Sequence, residues 1–418
     1  MTSVAEDSGL MNRVQQLPST VDFPLLQNVD GNKSFHYLDN AATTQMPGDV
    51  IQAVTDCYRH YNAPIHRGLY PLAEQASQRY EAARSTVAQF INASSNEQIV
   101  FTHSATESIN MVAQGWLRPR LKPGDQVWVT RMEHHANFLP WQRLCRESGA
   151  SLRIIELSEQ GELNWQTTEG LFDKSTALIA LTQVSNVLGI ENPTHKICQQ
   201  AAANNIPVLV DAAQAVGHQA VDVTGMQCDF LVFSAHKMYG PAGIGILYGK
   251  TERLAEMEPL LLGGGMVDYV GKSESQWADI PARFEAGSPN LAGAIGLAAA
   301  INFLQQFGMD RVHQYVSELT QRAYKQLSDI GGVTLYPAAN SRCSNILSFN
   351  LADIHPHDVA QITGEQGVAL RAGHHCCQPL MQYLGVDSTL RVSFALYNHV
   401  GDIKALLDAL DQAKSIFK

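Results

Sequence analysis

Short apolar runs alternate with helix-like segments between about Tyr37 and Lys250, which is the pattern of a parallel sheet wrapped by helices. In such a sheet, ligands bind in the crevice outside the carboxyl ends of the strands, so the residues just past each strand are the ones to inspect. The candidate strands are QIVFT from Gln98, QVWVT from Gln126, ALIALTQV from Ala177, IPVLV from Ile206, DFLVFS from Asp229 and GIGILYG from Gly243.

A second, smaller lobe is predicted to begin with helices near Leu291, and no internal repeat or low-complexity tract interrupts the chain. Its short strands are expected in NILSFNL, VALRAG and LRVSFAL, and VGDIKALLDALDQAKSIF forms a closing helix. We therefore predict an α/β fold in three parts: an N-terminal segment over 1–34, a large domain over 35–290 and a small α+β domain over 291–418.

The composition narrows the class of protein. A chain of 418 residues is too long for one ordinary core, and 45% hydrophobic with 17% charged residues is a globular balance. A formal net charge of -11 argues against a non-specific nucleic-acid or anionic-membrane binder. The apolar run LAGAIGLAAAINFL is shorter than the roughly 20 residues of a membrane span. The first residues lack the pattern of a targeting segment, so a cytoplasmic location is expected.

Seven cysteines in a chain without a recognisable secretion signal predict free thiols rather than a disulfide framework. No pair of CxxC motifs has zinc-finger spacing, and no metal site is expected.

Asp211 and Lys237 each follow an apolar run. A buried acid is costly unless it meets a cation or a hydrogen-bond donor; it could simply cap a helix, or it could pair with a protonated pyridine nitrogen. A lysine that is desolvated at a strand end has a lowered pKa and is suited to forming a Schiff base, although many lysines reach solvent instead. Ser234 and His236 beside Lys237, with Asp211 on the preceding strand, favour the chemical interpretation.

The segment FTHSATESIN gives a strand, a Ser/Thr-rich turn and the start of a helix. Ala105 and Thr106 would present backbone N–H groups at a helix N-terminus, which is a seat for phosphate. A capping box without a ligand is the alternative. No GxGxxG or GxxxxGK[ST] motif lies nearby, which argues against a dinucleotide or a nucleoside triphosphate.

His134 and His135 follow the QVWVT strand, and Asn186 follows ALIALTQV. Adjacent histidines point in different directions, so joint metal ligation is not expected. An imidazole stacked on a flat cofactor, or a histidine at the start of a helix, are the two interpretations. The Asn186 amide could hydrogen-bond a cofactor or a substrate.

The segments YLDNAATTQMP, SATESIN, EHHAN, DAAQ, SAHKMYGPAGIG and RAGHHC resemble the class V, fold-type I pyridoxal-phosphate (PLP) enzymes, and within them the SufS/CsdA-like group II cysteine desulfurases. The resemblance runs from about Tyr37 to the C-terminus. It implies a fold-type I transferase with a large, mixed, mostly parallel sheet domain that binds PLP, and a smaller α+β C-terminal domain that carries the catalytic cysteine loop.

The resemblance also implies the roles of individual residues. Lys237 would bind PLP covalently, Asp211 would face the pyridinium nitrogen and His134 would stack on the ring. Asn186 and Arg391 would bind the substrate carboxylate. The phosphate would be held by Ala105, Thr106, Gln214, Ser234 and His236, and by Ser288 from the partner subunit of a homodimer. His66 and Arg67 match a stretch that resembles the rim of the active site at the dimer contact.

RAGHHCCQPL lies between a glycine and a proline and is predicted to be an accessible loop. By resemblance Cys376 is the nucleophile that takes sulfur from L-cysteine, leaving alanine, and passes the persulfide to a SufE/CsdE-like acceptor protein. His374 and His375 are candidates to activate it. Cys377 stands where the family usually has a small residue such as alanine, and it leaves open which of the two thiols reacts.

Other activities use the same groups. A selenocysteine lyase or a cysteine sulfinate desulfinase is close in chemistry. A class V aminotransferase or a kynureninase-like lyase would need Lys237 and Asp211 but no thiol. A scaffold protein that has lost catalysis is disfavoured by the presence of Lys237, Asp211, Arg391 and Cys376 together.

Overall fold

The computed structural model describes residues 22–27, 35–165, 172–337 and 343–417. Its strands are β1 (His36–Tyr37), β2 (Ile99–Thr102), β3 (Gln126–Thr130), β4 (Ser151–Ile155), β5 (Thr176–Thr182), β6 (Val208–Asp211), β7 (Phe230–Ser234), β8 (Gly245–Gly249), β9 (Val267–Val270), β10 (Ser275–Trp277), β11 (Val333–Tyr336), β12 (Ile346–Leu351), β13 (Val368–Ala369), β14 (Arg371–Gly373) and β15 (Thr389–Ser393).

The helices are α1 (Pro24–Gln27), α2 (Gly48–His60), α3 (Pro71–Phe90), α4 (Ala105–Met111), α5 (Leu139–Ser148), α6 (Thr194–Ala203), α7 (Val223–Met226), α8 (Thr251–Ala255), α9 (Leu291–Phe307), α10 (Met309–Ser328), α11 (Pro356–Glu365), α12 (Gln378–Leu384) and α13 (Val400–Ile416). A π-helical segment, Val112–Leu117, continues α4, and 3-10 turns cover Asn96–Gln98, His135–Asn137, Ala235–Lys237 and Ala282–Phe284.

A seven-stranded sheet in the order β2-β8-β7-β6-β5-β3-β4 forms the centre of the molecule. Strands β4, β3, β5, β6 and β7 are parallel, whereas β8 runs antiparallel to both β7 and β2. The central strands are buried along their whole length because helices cover both faces, which explains their continuous apolar runs. The predicted large, mixed and mostly parallel sheet is confirmed.

All six predicted strands of this sheet are present, with ends shifted by at most two residues. Strand β4 was not predicted, because this edge strand mostly alternates exposed and half-buried positions instead of forming an apolar run.

A four-stranded antiparallel sheet, in the order β11-β12-β15-β14, forms a second layer with α10 and α13. The single strand predicted in VALRAG is divided at Leu370 into β13, which pairs with β1, and β14, which pairs with β15. Strand β11 was also not predicted. The closing helix matches α13 within one residue.

Helix α9 packs against α2 and α3 in the same apolar cluster as the large sheet. Most apolar residues of α10 belong to the cluster around the small sheet. The divisions at 34/35 and 290/291 stay predictions, and most of segment 1–34 lies outside the described residues. Within the described part of the chain no single helix could span a membrane; α9 and α10 pass that test only as a pair, which is bent by 79°.

Candidate active site

Lys237 lies just beyond β7, in the 3-10 turn Ala235–Lys237. Burial lowers the pKa of its ammonium group, and the charge of Arg391 acts in the same direction, while Asp211 and Cys376 raise it. The amino group is therefore desolvated and lies within electrostatic range of these three side chains. A lysine in such a position is suited to nucleophilic attack on a carbonyl.

Asp211 is the last residue of β6, next to β7 in the sheet, and is only 6% exposed. Burial raises the pKa of its carboxyl group, whereas the backbone N–H of Ala213, which donates to Oδ1 at 2.9 Å, and the charge of Lys237 lower it. The prediction that the acid and the lysine come together at adjacent strand ends agrees with this arrangement. A cation beside Asp211 would favour its ionised form.

The N-terminus of α4 lies at the same edge of the sheet. The Ser104 side chain caps the helix by accepting from Glu107 N at 3.2 Å, and Ala105 N donates to Ser234 Oγ at 2.8 Å. A Cβ atom at Gly245 would come within 2.9 Å of Ala105 N, so the absence of a side chain on β8 permits this close approach. Backbone N–H groups and a hydroxyl thus converge where an anion can bind.

The other residues predicted at the phosphate lie at this edge too. Gln214 is buried and its Nε2 donates to Ala41 O at 2.8 Å. Burial and the charge of Lys237 lower the pKa of His236 to about 4, so it is neutral at pH 7. Thr106, next to Ala105 in the first turn of α4, is exposed. Their roles stay predictions.

His134 follows β3 and is a neutral ring. Burial, with a further contribution from Lys237, lowers its pKa to about 3. Its Nδ1 accepts from Ala136 N at 3.1 Å, so the proton of the neutral ring is on Nε2. A flat, uncharged imidazole close to Lys237 agrees with the predicted stacking role.

The Cys376 loop, residues 374–378, has a strained backbone: His375 and Cys376 have φ values of 50° and 54°. Neighbouring elements hold this conformation. Cys376 O accepts from His135 N at 2.7 Å, and His375 O accepts from Asn186 Nδ2 at 2.8 Å. The loop that follows β3 and the one that follows β5 therefore fix the Cys376 backbone.

The two adjacent thiols differ sharply. Cys376 is exposed, as predicted, whereas Cys377 is fully buried and its Sγ donates to Glu133 O at 3.2 Å. Burial raises the pKa of Cys377 well above that of an ordinary thiol. A buried, protonated thiol is a poor nucleophile, so the geometry favours Cys376 as the reactive residue.

His375 does not suit the activating role considered for it. It is buried, burial lowers its pKa to about 3, and its Nε2 lies 3.0 Å from Thr389 Oγ1. His374 is exposed, and its Nδ1 accepts from Cys376 N at 3.1 Å. Of these two histidines, only His374 is exposed to solvent next to Cys376, so it is the better candidate for the activating role.

Arg391 is buried on β15 and its Nη1 donates to Asn186 O at 2.9 Å. Its Nε has no hydrogen-bond partner among the described residues. An unpaired, buried guanidinium N–H is costly unless a ligand accepts from it. Arg391 and Asn186 thus lie together, with a donor available for a carboxylate.

Asp39 and Glu133 also belong to the site, although no role was predicted for either. Asp39 accepts a hydrogen bond from Arg391 and forms an ion pair with Arg371, and Glu133 lies fully buried between β3 and β5. Both belong to short motifs already quoted, YLDNAATTQMP and EHHAN, but only the fold shows which side chains they contact.

Ser288, His66 and Arg67 line a separate cavity of about 840 Å³ that the Lys237 group does not line. The predicted roles of these three residues at the phosphate and at the rim of the active site stay predictions. Several large apolar side chains nearby are exposed, among them Tyr58 at 62%, Leu69 at 99% and Leu262 at 67%.

The profile of the family described as Aminotransferase class-V matches residues 36–406. A relative from Staphylococcus epidermidis strain ATCC 12228, named a probable cysteine desulfurase, is 46% identical over 396 residues, which cover 95% of this chain and 96% of the relative. Two solved structures are also similar.

The cysteine desulfurase CsdA from Escherichia coli, solved in its S-sulfonic acid form, has a TM-score of 0.87 and 39% identity over 95% of this chain and 97% of that one. An apo cysteine desulfurase from Thermococcus onnurineus NA1 has a TM-score of 0.90 and 37% identity over 96% and 98%. The chain therefore belongs to the class-V aminotransferase family, and these relatives within it are cysteine desulfurases.

Proposed function

We propose that the chain is a PLP-dependent cysteine desulfurase that converts L-cysteine to L-alanine and carries the sulfur as a persulfide on Cys376. The observation that carries the proposal is the exposed Cys376 within electrostatic range of the desolvated Lys237. An aminotransferase or a kynureninase-like lyase needs the lysine but has no use for a thiol held in this position.

The residues present fit PLP. An amine, a buried acid, a neutral aromatic ring and an anion seat match the aldehyde, pyridine nitrogen, ring face and phosphate of that cofactor, and the class V family is PLP-dependent. When bound, PLP supplies an electron sink for bond cleavage next to the amino group of the substrate. Lys237 would hold it, Asp211 would keep a proton on the pyridine nitrogen and His134 would cover one face.

The protein's own groups then perform the positioning and the proton transfers. Arg391 and the Asn186 amide would orient the substrate carboxylate, because Arg391 Nε is the unpaired donor at this position. Lys237 Nζ, once its amine is free, would take the Cα proton and later return it. Burial lowers the pKa of this amine, which shifts it toward the neutral form that accepts a proton.

Cys376 Sγ would attack the sulfur of the substrate. The carbon–sulfur bond breaks as the sulfur–sulfur bond forms, so L-cysteine and the Cys376 thiol give L-alanine and the Cys376 persulfide without an external oxidant or reductant. The exposed position of Cys376 then allows transfer to an acceptor, for which we propose a SufE/CsdE-like protein of the cytoplasm.

The test is to incubate the purified holoenzyme with L-cysteine and a reductant and to measure sulfide and alanine. We expect Cys376→Ala to abolish sulfur release and Cys377→Ala to retain it, since Cys377 is buried and protonated. Lys237→Ala should lose the visible absorbance of bound PLP. Undiminished sulfur release in Cys376→Ala, with selenocysteine or cysteine sulfinate also processed, would instead support the lyase or desulfinase activity.

We further propose a homodimer in which Ser288 of each subunit contacts the phosphate in the other. The exposed Tyr58 in the lining of its cavity, with Leu69 and Leu262 two residues along the chain from the lining residues Arg67 and Gly264, supports this arrangement, because exposed large apolar side chains that group together mark protein–protein contacts. Ser288→Ala should weaken PLP binding. A mixed dimer of Ser288→Ala and Lys237→Ala subunits should regain one complete site, and failure to regain PLP affinity would contradict the shared site.

A further inference from the structure

Glu133 is fully buried three residues beyond the end of β3, and burial raises the pKa of its carboxyl group to about 8, although its three hydrogen-bond donors oppose the rise. Oε1 accepts from Thr130 Oγ1 at 2.5 Å and from Thr182 N at 2.8 Å, and Oε2 accepts from Asn137 Nδ2 at 2.6 Å. Asn137 Oδ1 in turn accepts from Trp141 Nε1 at 3.0 Å. A satisfied buried network of this kind fixes one arrangement of the chain.

The network joins elements that carry three functional groups. Thr182 pairs in the sheet with Asp211, and His134 directly follows Glu133. The main-chain carbonyl of Glu133 accepts from Cys377 Sγ, next to Cys376. The hydrogen bonds of the Glu133 side chain thus hold the loop formed by residues 132–137 against β3 and β5. The main chain of the same loop binds the Cys376 loop.

We propose that Glu133 is a positioning residue that holds His134 and the Cys376 loop in register, with the Cys377 thiol as the link between the two loops. The inference rests on the proposed function. His135 strengthens the link, since its N–H donates to Cys376 O at 2.7 Å and its Nε2 accepts from Gln378 N at 3.1 Å. Misplacing a reacting group by about 1 Å can cost about 100-fold in rate.

Glu133→Gln is a sharp test, because an amide nitrogen has no lone pair available to accept a hydrogen bond from the donors around Glu133. If Nε2 of the new side chain takes the place of Oε2, it faces the Asn137 amide N–H₂; if it takes the place of Oε1, it faces the Thr182 N–H. Asn137 cannot turn its oxygen toward Gln without losing the bond from Trp141. Adding Asn137→Asp restores an acceptor for both neighbours, so the double variant is the matched rescue.

The measurements are single-turnover alanine formation without an acceptor, the visible spectrum of bound PLP and the rate of Cys376 alkylation. We expect Glu133→Gln to slow alanine formation by about ten-fold or more and to change both the spectrum and the alkylation rate. Glu133→Gln with Asn137→Asp should return to within about three-fold of wild type, because each buried donor regains a partner.

Variants of Cys377 test the link between the two loops separately from the positioning role of Glu133. Cys377→Ser keeps a donor for Glu133 O and should resemble wild type, whereas Cys377→Ala should slow only the Cys376 step, by about three-fold, with an unchanged spectrum. If Glu133→Gln does not fold, Thr130→Val removes one donor and should show the same changes on a smaller scale.

Wild-type rates and spectra in the Glu133 or Thr130 variant, or a loss of thermal stability alone, would overturn the positioning role. If Cys377→Ser slowed single-turnover alanine formation as much as Cys377→Ala does, the proposed link through the Cys377 thiol would be overturned. A wild-type enzyme that forms no alanine would refute the proposed function instead, so the two failures are distinguishable.

Discussion

Asp39 Oδ1 lies 3.2 Å from Nη2 of Arg391, and Asp39 Oδ2 lies 3.3 Å from Nε of Arg371. The two arginines are directly opposite one another on β15 and β14. Like charges in that position repel, so one acid holds together two guanidinium groups near Lys237. Asp39 therefore sets the orientation of the arginine proposed to bind the substrate.

Asp39→Asn removes that charge but keeps the shape of the side chain. Arg391 would lose a charged acceptor, worth roughly 1.5–3 kcal/mol, and would be repelled by Arg371. We expect KM for L-cysteine to rise about ten-fold or more, with a smaller change in kcat, measured by initial rates of alanine formation.

Arg371→Gln is the matched control, because it leaves the pair of Asp39 and Arg391 in place. In the Arg371→Gln background, Asp39→Asn should raise KM less than it does alone. Equal effects in both backgrounds would show that the repulsion between the arginines plays no part.

A second buried charge pair holds the segment that leads to Ser288. Glu285 accepts from Arg84 at 2.6 and 2.9 Å, from Tyr80 Oη at 2.9 Å and from Phe101 N at 2.8 Å. Among the described residues, Glu285→Gln leaves the buried Arg84 with the partly exposed Glu81 as its one remaining counter-charge. Removing one partner of a buried pair costs about 3–5 kcal/mol, and we expect a loss near the lower figure in urea unfolding.

Glu147→Gln is the control for this measurement, because Glu147 contacts the exposed Arg143 on the surface of α5. Exposed ion pairs of that kind contribute little to the free energy of unfolding. A loss of stability as large in Glu147→Gln as in Glu285→Gln would contradict the importance of burial.

The sequence predicts the site best where local pattern decides the geometry. Lys237 and Asp211 follow continuous apolar runs, and a parallel sheet necessarily brings their strand ends to one edge. Asp39 and Glu285 were missed because their partners are 352 and 201 residues away, and no local pattern encodes such contacts. The different roles of Cys376 and Cys377 also needed the fold, since burial alone separates two adjacent and identical side chains.

Cys376 is the one exposed thiol among seven cysteines, all of which lie in the described part of the chain. Burial raises the pKa of several others, including Cys145 to about 11 and Cys343 to about 12. Brief treatment of the native protein with iodoacetamide should therefore label one cysteine per chain, as counted by intact mass, and Cys376→Ala should remain unlabelled. A second label in the wild type would point to local opening around another thiol.

Two buried histidines, His218 and His375, and two half-buried ones, His134 and His236, should make the protein less stable in mild acid. Burial lowers the pKa of His134 and His375 to about 3 and that of His218 and His236 to about 4. An unfolded histidine takes up a proton below about pH 6.5. Between pH 6.5 and about 4 the unfolded state therefore binds more protons, and stability falls as the pH falls.

His218 is the best residue for a test. Besides burial, only the charge of His313 lowers its pKa, and none of the groups around Lys237 contributes. In urea unfolding between pH 5 and 6, the slope of the unfolding free energy against pH should be smaller in His218→Gln than in wild type by roughly 1 kcal/mol per pH unit. Each protein serves as its own reference at pH 7.5, since the slope is independent of any constant loss of stability. Parallel slopes for the two proteins would mean that His218 takes up its proton equally in the folded and unfolded states.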